Sequence, residues 1–247
     1  MKNRFMRSLF STLACLAILA LPVSAAFAEG EMLNLIFIGG DADREEGANN
    51  ICRNLLEHHE DLREQVETFF VRSTMNDYTN TTAMKHAEEV KDHLSPDRMN
   101  IVCAYSHGGQ TAFFLETEPV RDLYIFDACV AVQGKGDGAD AKGRYWAEWF
   151  IETAKKGVNL HIFSSKGKHD EYTGTKNAIK NLTQYPETDD CVVSTGEGLY
   201  RILDRSGNEI ARIETAVLDG THKDICIRIE DRLAEDIYAM LKEQGKQ

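Results

Sequence analysis

Basic residues are scarce in this 247-residue chain: 28 Lys and Arg stand against 40 Asp and Glu, a formal net charge of −12. Three of those cations, Lys2, Arg4 and Arg7, fall in the first seven residues, so the rest of the chain is more acidic still. No local cluster of Lys and Arg offsets the excess. Nucleic acid, anionic membrane surfaces and polyanionic substrates are therefore poor partners. Nor do any of the six cysteines form a C-x-x-C pair, which argues against zinc-ribbon and thioredoxin-type chemistry. The G-x-G-x-x-G fingerprint is missing where Gly39-Gly40 closes a strand, and no Walker lysine follows it, which disfavours a nucleotide-phosphate loop. Asp41, Asp43, Glu45 and Glu46 lack the sixth-position glycine and the closing glutamate of an EF-hand, so an acid-rich helix start accounts for them more cheaply than calcium. The chain has no internal repeat, long linker or low-complexity segment.

The start of the chain has the form of an export signal. A basic n-region precedes an apolar run from Leu9 to Leu21, and Ala26-Phe27-Ala28 supplies a small-x-small cleavage pattern. The run is short for a membrane span, and no stop-transfer segment follows. Residues 1–28 are thus expected to be removed, leaving a periplasmic or extracellular protein without stable membrane insertion. Residues 29–247 suffice for one substantial core. Five cysteines stay in this part: Cys52, Cys103, Cys129, Cys191 and Cys226. Export permits disulfides, but an odd count leaves at least one thiol free.

From residue 33 the pattern alternates strand and helix. Leu33 to Ile38 is a buried strand, 46–60 a helix, 66–72 a strand, 82–94 a helix and Met99 to Tyr105 a strand. A helix over 108–117, a strand from Leu123 to Phe126 and a glycine-rich loop from Gly134 to Gly143 follow. Beyond them come an aromatic helix carrying Tyr145, Trp146, Trp149 and Phe150, a strand from Val158 to Phe163, and a helix near 172–182. A short strand at Ala216 to Leu218 and a helix over 224–243 end the chain. Leu199 to Leu203 and Glu209 to Ile213 flank Asp204-Arg205-Ser206-Gly207-Asn208 and read as an inserted β-hairpin. The expectation is a three-layer αβα sandwich around a mostly parallel sheet of about six strands. The four aromatics cannot all face inward at helical spacing; they belong to the core or line a cleft.

The chemistry concentrates at Ala104-Tyr105-Ser106-His107-Gly108, where a strand runs into a helix through a serine. A nucleophile elbow needs small residues two before and two after the serine, and Ala104 and Gly108 meet that demand. Its bland competitor is an ordinary helix N-cap. A serine nucleophile also needs a histidine base and a carboxylate that orients it. Asp170 follows the strand Val158 to Phe163, and His222 follows the last strand in Asp219-Gly220-Thr221-His222. Ser106, Asp170, His222 is the chain order that α/β-hydrolases use. Asp127, at the end of the strand after Ser106, is the rival acid. His161 and His169 are rival bases, with His161 placed inside a strand.

On these residues the chain from Leu33 to Gln247 resembles the α/β-hydrolase superfamily, and the A-x-S-x-G form is similar to that of some small bacterial lipases. The resemblance implies a serine hydrolase of esters, thioesters or small amides. Ser106 would be its nucleophile, His222 its base and Asp170 its acid, with backbone N–H groups of His107 and of Gly40 or Asp41 as the oxyanion hole. It implies a small-molecule or acyl substrate and requires neither metal nor organic cofactor. Two departures stand out: the first two antiparallel strands of the family are absent, and Gly39-Gly40-Asp41 replaces the usual His-Gly. Because folds of this kind also host binders, a catalytically silent protein using the same cleft is the alternative.

Overall fold

A computed structural model of the chain describes residues 32–40, 48–71, 79–117, 119–136, 138–167 and 174–244. The leader, the acidic stretch 41–46, His169 and Asp170 lie outside them. Eight strands form one sheet in the order β2-β1-β3-β4-β5-β8-β7-β6. They are β1 (Leu33–Ile38), β2 (Val66–Val71), β3 (Asn100–Tyr105), β4 (Val120–Phe126), β5 (Asn159–Ser165), β6 (Val192–Gly196), β7 (Leu199–Leu203) and β8 (Glu209–Leu218). The first six in spatial order pair in parallel, whereas β8-β7 and β7-β6 pair antiparallel.

The expected count of about six is therefore too low, for two physical reasons. The second arm of the expected hairpin does not stop at Ile213 but runs on as the ten-residue β8, which is the last strand itself, so the first arm, β7, joins the main sheet beside it. Beyond β7, β6, with a single buried residue, Val192, is an edge strand that lacks the apolar alternation by which strands are recognised. The turn between β7 and β8 is built as its sequence demands: Asp204 Oδ1 accepts the backbone N–H groups of Ser206 and Asn208 at 2.8 and 2.9 Å, and Gly207 takes φ +83°.

Helices cover both faces, giving three layers. They are α1 (Ala48–His58), α2 (Asn80–His93), α3 (Gly108–Phe113), α4 (Ala139–Ala154), α5 (Thr175–Leu182), α6 (Ile225–Arg228) and α7 (Glu230–Gln244). Because side chains alternate along a strand, the sheet has two cores. Ile36, Ile38, Val102, Ala104, Ile125 and Ile162 pack toward Val90 of α2, Ala112 of α3, Trp146 and Phe150 of α4 and Leu182 of α5. Leu35, Phe37, Ile101, Cys103, Tyr105 and Phe126 pack toward Ile51 and Leu55 of α1, Ile225 of α6 and Leu233 and Ile237 of α7. Helix α4 begins at Ala139, inside the stretch expected to be loop up to Gly143. Gly143 is tolerated there because α5 presses close: a Cβ on it would meet Asn177 Cβ at 2.8 Å.

The strand order creates one crevice of consequence. From β1 the chain moves outward to β2 and then returns to the other side of β1 to form β3, so the C-terminal ends of β1 and β3 flank a topological switch point. In open parallel sheets that crevice is where ligands bind. Ser106 directly follows β3 at this place.

Candidate active site

Ser106 has φ +53°, a left-handed backbone that a non-glycine residue adopts only when its surroundings compel it. The compulsion is visible on both sides. Its N–H donates to the Phe126 carbonyl at 3.1 Å, extending the β3-β4 ladder one residue beyond the strand. One turn later α3 drives back beneath β1, so tightly that a Cβ on Gly108 would lie 2.4 Å from the Ile38 carbonyl oxygen. Only glycine fits, which is the physical content of the small residue two after the serine. The resulting elbow lifts Ser106 off the end of β3 at the start of α3, leaving it 9% exposed. Gly40, at the end of β1, lies against it: a Cβ there would be 2.8 Å from Ser106 Cβ and 3.3 Å from Oγ. Asp41, the other expected oxyanion donor, lies outside the described residues.

Asp127 repeats the same device on the next strand. It follows β4 with φ +47°, and its N–H donates to the Phe163 carbonyl at 2.8 Å. The side chain is buried, and both carboxylate oxygens are engaged. Oδ1 accepts from the Ser164 hydroxyl at 3.0 Å and the Ser165 N–H at 2.9 Å. Oδ2 meets Nδ1 of His222 at 3.2 Å. Burial alone would push this carboxyl up, but the bonds from His222 and Ser165 outweigh it and hold the acid below its usual range. It is the ionised form that can fix the proton of His222 on Nδ1, leaving Nε2 as the basic nitrogen.

His222 sits in the loop between β8 and α6. Thr221 and Asp224 brace that loop, since Asp224 Oδ2 accepts from the Thr221 N–H at 2.6 Å and from its hydroxyl at 2.9 Å. Gly220 supplies the sharp bend with φ +117°. The imidazole stacks on the ring of Tyr105, the residue before Ser106, with centroids 4.7 Å apart and planes 17° apart. The Tyr105 hydroxyl also donates to the His222 carbonyl at 3.2 Å.

The acid that meets His222 is thus Asp127, which chain position alone ranks second to Asp170. The reason is that the left-handed turn after β4 swings Asp127 sideways across the end of β5 instead of letting its side chain drop into a helix interface. The aromatics of α4 secure that turn: the Tyr145 hydroxyl bridges Val130 O and Val132 N at 3.0 and 2.9 Å, and Trp146 Nε1 donates to Val130 O at 2.9 Å. Trp146 and Phe150 are fully buried and Tyr145 nearly so, which places them in the core. Trp149 packs against that core while remaining partly buried.

The other histidine in question, His161, belongs to the opposite edge of the sheet. It lies near the start of β5, between Asp122 Oδ1 at 3.0 Å and Glu214 Oε2 at 3.3 Å. Burial pushes its pKa down, but these two carboxylates win and raise it to about 9. A cavity of about 870 Å³, lined by charged residues including Arg121, Glu214, Arg232 and Asp236, adjoins it. These charges pair with one another: Arg232 bonds Glu214 and Asp236, and Arg121 bonds Glu243. Among the described residues, His59, Glu230 and Asp231 are a trio with metal-ligand atoms within 4.8 Å of one another, on the ends of α1 and α7 rather than at the serine. The five described cysteines are free thiols, with Cys103, Cys129 and Cys226 buried. No helix among the described residues is long and apolar enough to cross a membrane.

No family model matches the chain, and no curated protein does. Among solved structures it is similar to a His-tagged serine hydrolase involved in carbazole degradation, the CarC enzyme. That similarity is 12% in sequence, covers 86% of this chain and 92% of the other, and has a TM-score of 0.44.

Proposed function

We propose that the protein is a serine hydrolase acting on a carboxylic ester, thioester or small amide, with Ser106 as nucleophile, His222 as base and Asp127 as orienting acid. The observation that carries the reading is the left-handed Ser106 at the switch point, one residue from the side chain on which an Asp-bound imidazole is stacked. An ordinary helix cap needs neither the strained backbone nor the glycine-only contacts around it. In the reaction the Ser106 hydroxyl attacks the carbonyl while His222 Nε2 takes its proton. The tetrahedral intermediate collapses as the imidazolium returns that proton to the leaving alkoxide, thiolate or amine. Water, deprotonated by His222, then attacks the acyl-serine and releases the carboxylic acid and free Ser106. The backbone N–H groups of His107, at the start of α3, and of Gly40 would stabilise the oxyanion, with Asp41 as the further candidate of that loop.

Export belongs to the same proposal, on the form of residues 1–28. The rival is a silent binder that keeps the fold and not the turnover. Labelling with a fluorophosphonate probe separates the two: the enzyme reading expects one adduct, on Ser106, and its loss together with p-nitrophenyl ester hydrolysis in Ser106→Ala, at unchanged melting temperature. Folded wild-type protein that neither labels nor cleaves esters or thioesters would leave the binder.

A further inference from the structure

We infer that Tyr105 is the positioning residue that holds the base of the active site, an inference that rests on the serine hydrolase reading and goes further into its machinery. Tyr105 ends β3, and its side chain leaves the sheet on the face opposite Ala104, toward α6 and α7. There it meets His222 twice. The phenol ring lies parallel to the imidazole at 4.7 Å, covering one of its faces. The hydroxyl donates to the carbonyl of the same residue at 3.2 Å, tying the loop backbone to the rigid strand. The bond to Asp127 fixes Nδ1 at one point and does not itself fix the rotation of the ring about it. The stack removes that rotation, and the carbonyl bond removes the drift of the loop. Tyr105 is itself 8% exposed and clamped within the core, so it has little freedom to lend. As the residue adjoining Ser106, it spans nucleophile and base with one inflexible group. A base held on three sides keeps its lone pair aimed, which is a contribution to turnover and not to substrate affinity.

The test uses Tyr105→Phe and Tyr105→Leu in the whole protein, with kcat and KM on a short-chain p-nitrophenyl ester, melting temperature, and the low-field proton NMR resonance of His222 Nδ1–H. Tyr105→Phe keeps the ring and loses the hydroxyl bond, so kcat should fall about 2- to 10-fold, the range of one hydrogen bond, with KM unchanged. Tyr105→Leu loses both holds, and kcat should fall about 10- to 100-fold, again without a rise in KM. The low-field resonance should stay in the Phe variant and broaden or vanish in the Leu variant as the ring loosens and Nδ1–H exchanges with water. A purely structural tyrosine would lower the melting temperature of both variants and leave kcat of the folded fraction and the resonance alone; that result overturns the inference. Should the Leu variant fail to fold, wild-type kcat in the Phe variant overturns it equally. Failure of the underlying reading shows differently, as wild-type protein that Ser106-directed probes do not label.

Discussion

Replacing Asp127 with Asn should remove catalysis while sparing the fold, and the hydrogen bonds around the carboxylate show why. Oδ1 faces two donors, the Ser164 hydroxyl and the Ser165 N–H, whereas Oδ2 faces His222 Nδ1. An asparagine must therefore turn its carbonyl oxygen toward the two serines and its NH₂ toward the imidazole. Those two accepted bonds survive, so the melting temperature should move little. The NH₂ cannot accept, so Nδ1 must, and the imidazole proton transfers to Nε2. That nitrogen then carries a hydrogen, and the base has no lone pair to offer a serine hydroxyl. The wrong tautomer costs about 10⁴-fold in kcat in Ser-His-Asp enzymes, about 5.5 kcal/mol of barrier. The assay is kcat on a p-nitrophenyl ester for Asp127→Asn and Asp170→Asn side by side, with circular dichroism melts of both. A loss of roughly that size in Asp127→Asn, and less than tenfold in Asp170→Asn, is the expected outcome. A folded Asp127→Asn variant within tenfold of wild type, with Asp170→Asn crippled, would refute the assignment and move the acid to Asp170.

Two further outcomes probe the scaffold. Gly108→Ala puts a methyl 2.4 Å from the Ile38 carbonyl oxygen, so α3 must retreat from β1; a loss of about 1–3 kcal/mol in urea unfolding is expected, and an unaltered midpoint would contradict the close approach. His161 gives a pH signature: its pKa is raised from 6.5 to about 9, so its stabilisation is complete below pH 6.5 and is lost as pH rises toward 9. Between about pH 6 and 8.5 this predicts a fall of up to roughly 2–3 kcal/mol in unfolding free energy, which His161→Gln should abolish; equal slopes for the two proteins would discount the network.

The layered architecture was legible because its information is local. Runs such as Leu33 to Ile38 and Ile101 to Tyr105 are short, continuous and bounded by glycine or a turn, which is how a strand buried on both faces must read. What escaped was the outer part of the sheet. β6 has an almost wholly exposed pattern, and its strand character comes from pairing with β7, an interaction that no local period encodes. The start of α4 escaped for a related reason. Glycines at 134, 136 and 138 suggest a loop, and those three do adopt positive φ, but the fourth, Gly143, is a contact glycine under α5.

The residues of the candidate site divide along the same line. Ser106 could be found because its neighbours report its geometry: the turn that strains the serine also leaves room for only a small side chain at 104 and none at 108, and both constraints are written within five residues. His222 could be found by its place after the last strand, since every parallel strand delivers its following loop to the same edge. The carboxylate that meets His222 is harder to read, because position after a strand is a property that Asp127 and Asp170 share. Asp127 itself has a left-handed backbone at a non-glycine residue, which carries no signature in the chain. Its cause lies in remote partners: the Phe163 carbonyl that holds its N–H, the two serines at the end of β5 that hold Oδ1, and the tyrosine and tryptophan of α4 that pin the following loop. Ser164-Ser165 is the one signal that could have pointed there. Two adjacent hydroxyl residues closing the buried end of a strand need an acceptor, and a carboxylate one strand away is the acceptor that best repays its own burial. A buried acid with three donors is also a rigid one, and rigidity is what the proposed role of orienting the imidazole requires.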